Sequence, residues 1–166
     1  MGDSLGSADA EESVVVRAGV MLLGHRALRI WWRLRRPTTY GVKALLMHPD
    51  DPGKCLVVRH SYVDRDRWGL PGGGYSPQKE SAEGAAVREV AEELALTITE
   101  PPTVLHTLTT TYEGKVDNLT IVVATPTSAE FHLNAELTEA RWVSVDLSDL
   151  PTNARTSRWL RLALAE

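Results

Sequence analysis

Three consecutive glycines, Gly72 to Gly74, follow Leu70-Pro71 and lead into an acidic helical run from about Glu80 to Leu94. Glycines permit backbone conformations and close approaches that other residues resist, and Pro71 stiffens the entry. On a helix turning about 100° per residue, with Glu89 at zero, Glu92 falls near 300° and Glu93 near 40°. Three carboxylates therefore share an arc of about 100°, while Val87, Val90 and Leu94 fall between about 100° and 160° as a core-facing stripe. Arg88, near 260°, flanks the acidic arc. Like charges at i,i+3 and i,i+4 cost a helix a few tenths of a kcal/mol per pair. A solvated acidic face is the plain reading of the helix alone. The glycine turn before it changes the reading, because it brings main-chain oxygens and amides close to a ligand. Hard oxygen donors of this kind suit Mg²⁺ or Mn²⁺ rather than zinc. Such cations bridge and neutralise phosphate oxygens and activate water for attack at phosphorus. Arg88 stays charged and can orient a carboxylate, or contact phosphate directly. A Walker A loop and a dinucleotide-binding glycine fingerprint are both absent.

Around this segment the pattern is that of strands. Gly41–Met47 and Cys55–Arg59, joined by HPDDPG, read as a hairpin. Val104–Tyr112, Leu119–Thr125 and the short run ARWVSV read as further strands, Glu130–Ala140 as a mixed loop, and Asp149–Ala165 as a C-terminal helix after an uncertain start at Leu150-Pro151. The alternation is mixed α/β, too sparse in helices for a doubly wound sheet. Residues 1–13 read as a disordered leader and residues 14–38 as a basic helix ending at Pro37, leaving 39–166 as the main folded domain.

With 166 residues, 43% hydrophobic and 24% charged, the chain suits one domain with a single main core. One Cys excludes a disulfide framework, and Cys55 reads as a buried hydrophobe. The five histidines lack metal-ligand spacing. No apolar run reaches membrane-spanning length, and the acidic start lacks a signal peptide's basic region, so a cytoplasmic protein is expected. The net charge of −4 hides strong segregation. Arg17, Arg26, Arg29, Arg33, Arg35 and Arg36 meet no acid, while Glu80, Glu83, Glu89, Glu92 and Glu93 meet only Lys79 and Arg88. The basic helix could lie on anionic lipid. Docking on its own domain or on a second copy is the plainer reading, and Trp31-Trp32 favours a homodimer. Peripheral membrane contact and a stable nucleic acid complex are not expected.

At these residues the sequence resembles the Nudix hydrolase family (MutT-like), whose signature is G-x5-E-x7-R-E-U-x-E-E-x-G-U with U bulky and apolar. Gly74 opens it, Glu80 follows, then Arg88-Glu89-Val90-Ala91-Glu92-Glu93, and Leu94-Ala95-Leu96 closes it. Ala95 replaces the penultimate glycine, which questions local backbone geometry more than activity. Trp68-x-Leu-Pro-Gly-Gly and the ARWVS strand extend the likeness over about residues 40–150. The resemblance implies an α/β/α sandwich around a mixed sheet, with the signature as a loop-helix-loop. It implies Glu92 and Glu93 as principal metal ligands with the carbonyl of Gly73, Glu89 as a ligand or general base held by Arg88, and Glu80 as support. The implied reaction is hydrolysis of a diphosphate linkage in a nucleoside diphosphate derivative, by metal positioning and base-assisted water attack.

A further acid often joins this family's site from outside the signature. Glu136 is the first candidate, ahead of Glu139, Glu113 and Asp117. Trp68 could line the substrate pocket with Gly72 and Gly74, or cap the core. Tyr112, 16 residues after Leu96, resembles a tyrosine of members acting on dinucleoside polyphosphates, although a packed strand aromatic is as ordinary. Tyr62 and Arg67 are rim candidates. An isoprenoid diphosphate isomerase lacks its catalytic Cys and acid arrangement here. A non-catalytic nucleotide-binding or regulatory module on the same fold is the alternative, against which the full acidic set argues.

Overall fold

Alternation along the strands builds two cores, one on each face of a sheet. The computed structural model describes residues 38–61, 66–112 and 115–165. The expected leader, the basic helix with Trp31-Trp32, and the candidates Tyr62 and Glu113 lie outside them. Thr39–Thr110 with Asp117–Glu166 form one compact unit, and Met1–Thr38 with Thr111–Val116 form another. Of the second, only strand-end positions are described.

Strand β1 (Thr38–Met47) pairs antiparallel with β2 (Lys54–His60), Leu46 opposite Leu56 and Met47 opposite Cys55. This is the expected hairpin. Its connection closes with the His48 amide donating to the Lys54 carbonyl at 3.0 Å. The two-residue strands β3 (Arg67–Trp68) and β4 (Gly74–Tyr75) follow, then helix α1 (Ala82–Leu94). Strands β5 (Thr103–Tyr112), β6 (Lys115–Ala124) and β7 (Leu137–Ser144) lead to β8 (Arg155–Thr156) and the short helix α2 (Arg158–Ala163). The main sheet runs β5-β6-β1-β2-β7, with β4 also paired to β1, while β3 and β8 form a separate parallel pair.

Val42, Ala44 and Leu46 of β1 face a first core with Leu56, Val58, Val122 and the Ala85, Ala86, Val90 and Leu94 stripe of α1. Leu45, Cys55, Val57, Ile121 and Val143 face a second core, closed by Trp68, Leu70 and Leu160 of α2. The result is the expected α/β/α sandwich around a mixed sheet, except that the one core is two. Burying each Leu or Val contributes about 1.5–3 kcal/mol. Cys55 is fully buried, and burial pushes its thiol up to about 11, which keeps it protonated and inert.

Both helices among the described residues begin where a serine caps them. The Ser81 hydroxyl accepts from the Gly84 amide at 3.1 Å, so α1 starts just after the expected Glu80. The Ser157 hydroxyl accepts from the Leu160 amide at 3.1 Å. The C-terminal helix is correspondingly shorter than expected. A turn closed by the Ala154 amide on the Pro151 carbonyl comes first, then β8, whose neighbour Ser157 donates its amide to the Trp68 carbonyl.

Candidate active site

Pro71 to Gly74 lies along β1 as an irregular extra strand. The Val42 amide donates to the Gly73 carbonyl at 2.9 Å and the Ala44 amide to the Pro71 carbonyl at 3.0 Å. Beyond it, Tyr40 pairs with Tyr75 and Gly41 with Gly74. Gly72 requires its missing side chain: its φ is +125°, and a Cβ there would collide with the Val42 carbonyl oxygen. Gly73 requires the same for another reason. The Glu89 carboxylate of α1 lies over its Cα, so that a Cβ would stand 2.5 Å from Oε1 and 2.6 Å from Oε2.

Arg88 organises the exposed side of this contact. Its Nη1 donates to Glu89 at 2.8 Å and to Glu92 at 3.3 Å. Its Nη2 donates to Glu80 at 2.9 Å and to the Gly74 carbonyl at 3.3 Å, and its Nε reaches the other Glu80 oxygen at 3.3 Å. The bonds to Glu80 first, and then to Glu89, hold the guanidinium pKa above its ordinary value. Glu80 thereby braces Arg88, and Arg88 sets the direction of Glu89. Glu92 is the most open member, its side chain 58% exposed against 12% for Glu89.

Glu93 sits differently. At about 40° from Glu89 it lies toward Val90 and the apolar stripe, and it is 2% exposed. Its Oε2 accepts the Gly72 amide at 2.9 Å. Burial raises its carboxyl pKa, the Gly72 amide and the Lys43 charge oppose that, and Glu89 and Glu136 add to it. Glu136 is thus close enough for its charge to act on Glu93. It is brought there by the segment after α1, whose Asn134 amide donates to the Glu93 carbonyl at 3.1 Å while its side-chain oxygen accepts the Glu136 amide at 2.9 Å. The Ser61 amide fixes the Glu136 carbonyl at 2.8 Å.

The remaining candidates stand elsewhere. Glu139 is held by Arg59 at 2.9 Å and by Arg141, and Asp117 accepts the Thr39 hydroxyl at 2.5 Å. Trp68 is 4% exposed in the second core, with Arg59 and Arg141 over its ring at 5.4 and 5.5 Å. That is the core-capping position rather than an open pocket wall. Tyr112 ends β5 in the second compact unit. Sequence reasoning passed over Lys43, whose Nζ donates to the Gly72 carbonyl at 2.7 Å within the field of Glu93 and Glu89. Its signal was available, as the one charge in the strand GVKALLM.

Among the described residues no three His, Cys, Asp or Glu side chains stand close enough together to form a finished metal cage. The donor set nevertheless fits a hard divalent cation. Glu89 lies against Gly73, Glu93 holds the Gly72 amide, Glu92 stands one helical turn away on Arg88, and the Gly73 carbonyl uses one of its two lone pairs on Val42. Burial together with two neighbouring acids disfavours the Glu93 charge, and a cation would relieve that strain.

The chain matches the NUDIX domain model over residues 37–163. It resembles in structure a MutT NUDIX hydrolase from Burkholderia pseudomallei, with 25% identity, a TM-score of 0.63, and coverage of 77% of this chain and 96% of that one. A MutT protein from Methanosarcina mazei Go1 is similar at 25% identity and a TM-score of 0.62, covering 79% of this chain and 93% of that one. The E. coli ORF135 protein, 20% identical with a TM-score of 0.60 over 78% of this chain and 90% of that one, shares the fold. No curated protein matches significantly.

Proposed function

Because the chain belongs to the NUDIX domain family and is a Nudix hydrolase, we propose that it hydrolyses a diphosphate linkage in a nucleoside diphosphate derivative with a divalent cation, Mg²⁺ or Mn²⁺. The family acts on small nucleotide derivatives. The observation that carries the finer reading is the approach of Glu89 and Glu93 to Gly72 and Gly73, with Arg88 holding Glu89 from behind.

Glu92, Glu93 and the Gly73 carbonyl would hold the cation, with Glu89 as a further ligand or as the base. The cation supplies charge neutralisation along the phosphate chain and acidifies the attacking water. Arg88 aims Glu89, since a guanidinium cannot release its proton and its Nη1 holds one carboxylate oxygen at 2.8 Å. Held so, Glu89 accepts a proton from water as the water's oxygen bonds to phosphorus, and the opposite phosphate-bearing fragment leaves. Glu136 adds a second acceptor beside Glu93, reachable from the open side because its own side is exposed.

A panel of nucleoside diphosphate derivatives, assayed with and without Mg²⁺ and with product identification, tests this. Hydrolysis is expected with Mg²⁺ and not with excess chelator. E92Q and E93Q should each lower kcat by about 10²-fold or more while far-ultraviolet circular dichroism stays native. Wild-type turnover in both variants would remove the metal assignment.

A further inference from the structure

Lys43 is an ammonium placed where burial penalises its charge. Its strand neighbours Val42 and Ala44 are fully buried, and both use their amides on the glycine loop, at Gly73 and Pro71 respectively. Between these two bonds the Gly72 carbonyl takes its bond from Lys43 Nζ, at 2.7 Å. The amide of that same glycine is held by Glu93 at 2.9 Å. Gly72 is thus gripped at both ends by charged side chains, one from β1 and one from α1, in a backbone conformation (φ +125°) that glycine adopts freely among many others. Glu93 and Glu89 are also the acids that counter the Lys43 charge.

We infer that Lys43 is a positioning residue of the hydrolase, whose grip on the Gly72 carbonyl fixes the peptide leading into Gly73 and keeps the Glu93 carboxylate docked on the same glycine before any cation arrives. The inference rests on the cation-dependent reading above and adds a residue outside the signature to it. Its physical content is preorganisation: a cation meeting an ordered donor set does not have to order the loop. Two effects of Lys43 have opposite signs, which makes the idea decidable. By Coulomb's law alone, removing a positive charge beside carboxylates should tighten cation binding. By positioning, removing it should weaken binding.

The test uses the full-length protein and Mn²⁺ alone, titrated calorimetrically into wild type, K43M, K43R and E93Q. K43M, similar in length but without a donor, should bind Mn²⁺ about tenfold or more weakly, and in turnover lose kcat about tenfold or more with KM for the nucleotide within about threefold. K43R, retaining charge and donors, should recover part of the Mn²⁺ affinity. Equal or tighter Mn²⁺ binding by K43M overturns the inference while leaving the cation reading intact, provided E93Q has lost binding. Unchanged binding by E93Q overturns both. A measurement on wild type covers the case in which K43M does not fold: amide hydrogen exchange at Gly72 and Gly73 should already be slow without Mn²⁺. A tenfold or greater slowing on adding Mn²⁺ would mean that the cation, not Lys43, orders the loop, and would overturn the inference.

Discussion

Ala95 ends α1 in the left-handed region, at φ 55° and ψ 26°, with its amide bonded to the Ala91 carbonyl at 3.0 Å. This is the position at which the Nudix signature carries glycine, and the reason is visible: the chain must turn off the helix through αL to deliver Leu96 into the first core. A Cβ in that conformation costs about 1–2 kcal/mol, which glycine avoids while giving the unfolded chain more entropy to lose on folding. Ala95 is exposed, so no packing compensates. A95G should therefore stabilise the protein by about 0.5–1 kcal/mol, read as a higher urea midpoint at unchanged slope, with turnover unaltered. A lower midpoint would mean that the entropy of the added glycine outweighs the relieved strain. The departure from the signature is thus a cost in stability rather than a change in chemistry.

The loop from Pro71 to Gly74 and helix α1 work as one element, and their two central glycines should fail differently. G73A puts a methyl group where the Glu89 carboxylate lies, and a side chain can swing away. The expected result is a folded protein with kcat lowered about tenfold or more, because Glu89 leaves the position that Arg88 gives it. G72A meets backbone instead, the Val42 carbonyl and the Lys43 Cα, at a φ of +125° that alanine resists. It should cost about 2 kcal/mol or more of stability, measured by denaturant unfolding alongside G73A. Nearly native activity in G73A would dissociate Glu89 from the reaction. Much of this element was legible in the sequence because its information is local. The helical phase of Glu89, Glu92 and Glu93 follows from residues a turn apart, whereas the burial of Glu93 does not, since the same phase sets it in the acidic arc outside the stripe of Val87, Val90 and Leu94. Contacts spanning long stretches of chain were not legible. The bond from Lys43 to Gly72, the pairing of Gly41 with Gly74, and the parallel pair of Arg67 with Arg155 depend on how the sheet assembles. Strands of two residues leave no periodicity to read. Trp68 adjoins the glycine turn in sequence, yet its side chain points into the second core, since pocket and core lie one residue apart on an extended chain.

At the scale of the molecule, the sheet separates a core under α1 from a core under α2, and among the described residues no helix is long and apolar enough to cross a membrane. Where β2 ends, a register shift between Arg59 and His60 moves the pairing on to Leu137 of β7, and the half-buried His60 ring comes within the field of Lys43. Burial first, and the Lys43 charge second, push the His60 imidazole down to about 4, against a contact with the Leu70 backbone that favours its charge. The sign follows from linkage. Above pH 6.5 the ring is neutral in the folded and unfolded chains alike and contributes nothing. Between pH 6.5 and about 4 the unfolded chain takes up a proton that the folded chain refuses, so stability falls as pH falls. Glu93 acts in the opposite direction, because its raised carboxyl pKa lets the folded state bind a proton first. Comparing wild type with H60Q removes that common contribution. Allowing for the partial exposure of the ring, wild type should lose about 1 kcal/mol more than H60Q between pH 7 and pH 5 in urea unfolding. Parallel curves for the two proteins over that interval would show that the imidazole takes its proton in the folded state as readily as in water, and that the Lys43 charge does not reach it.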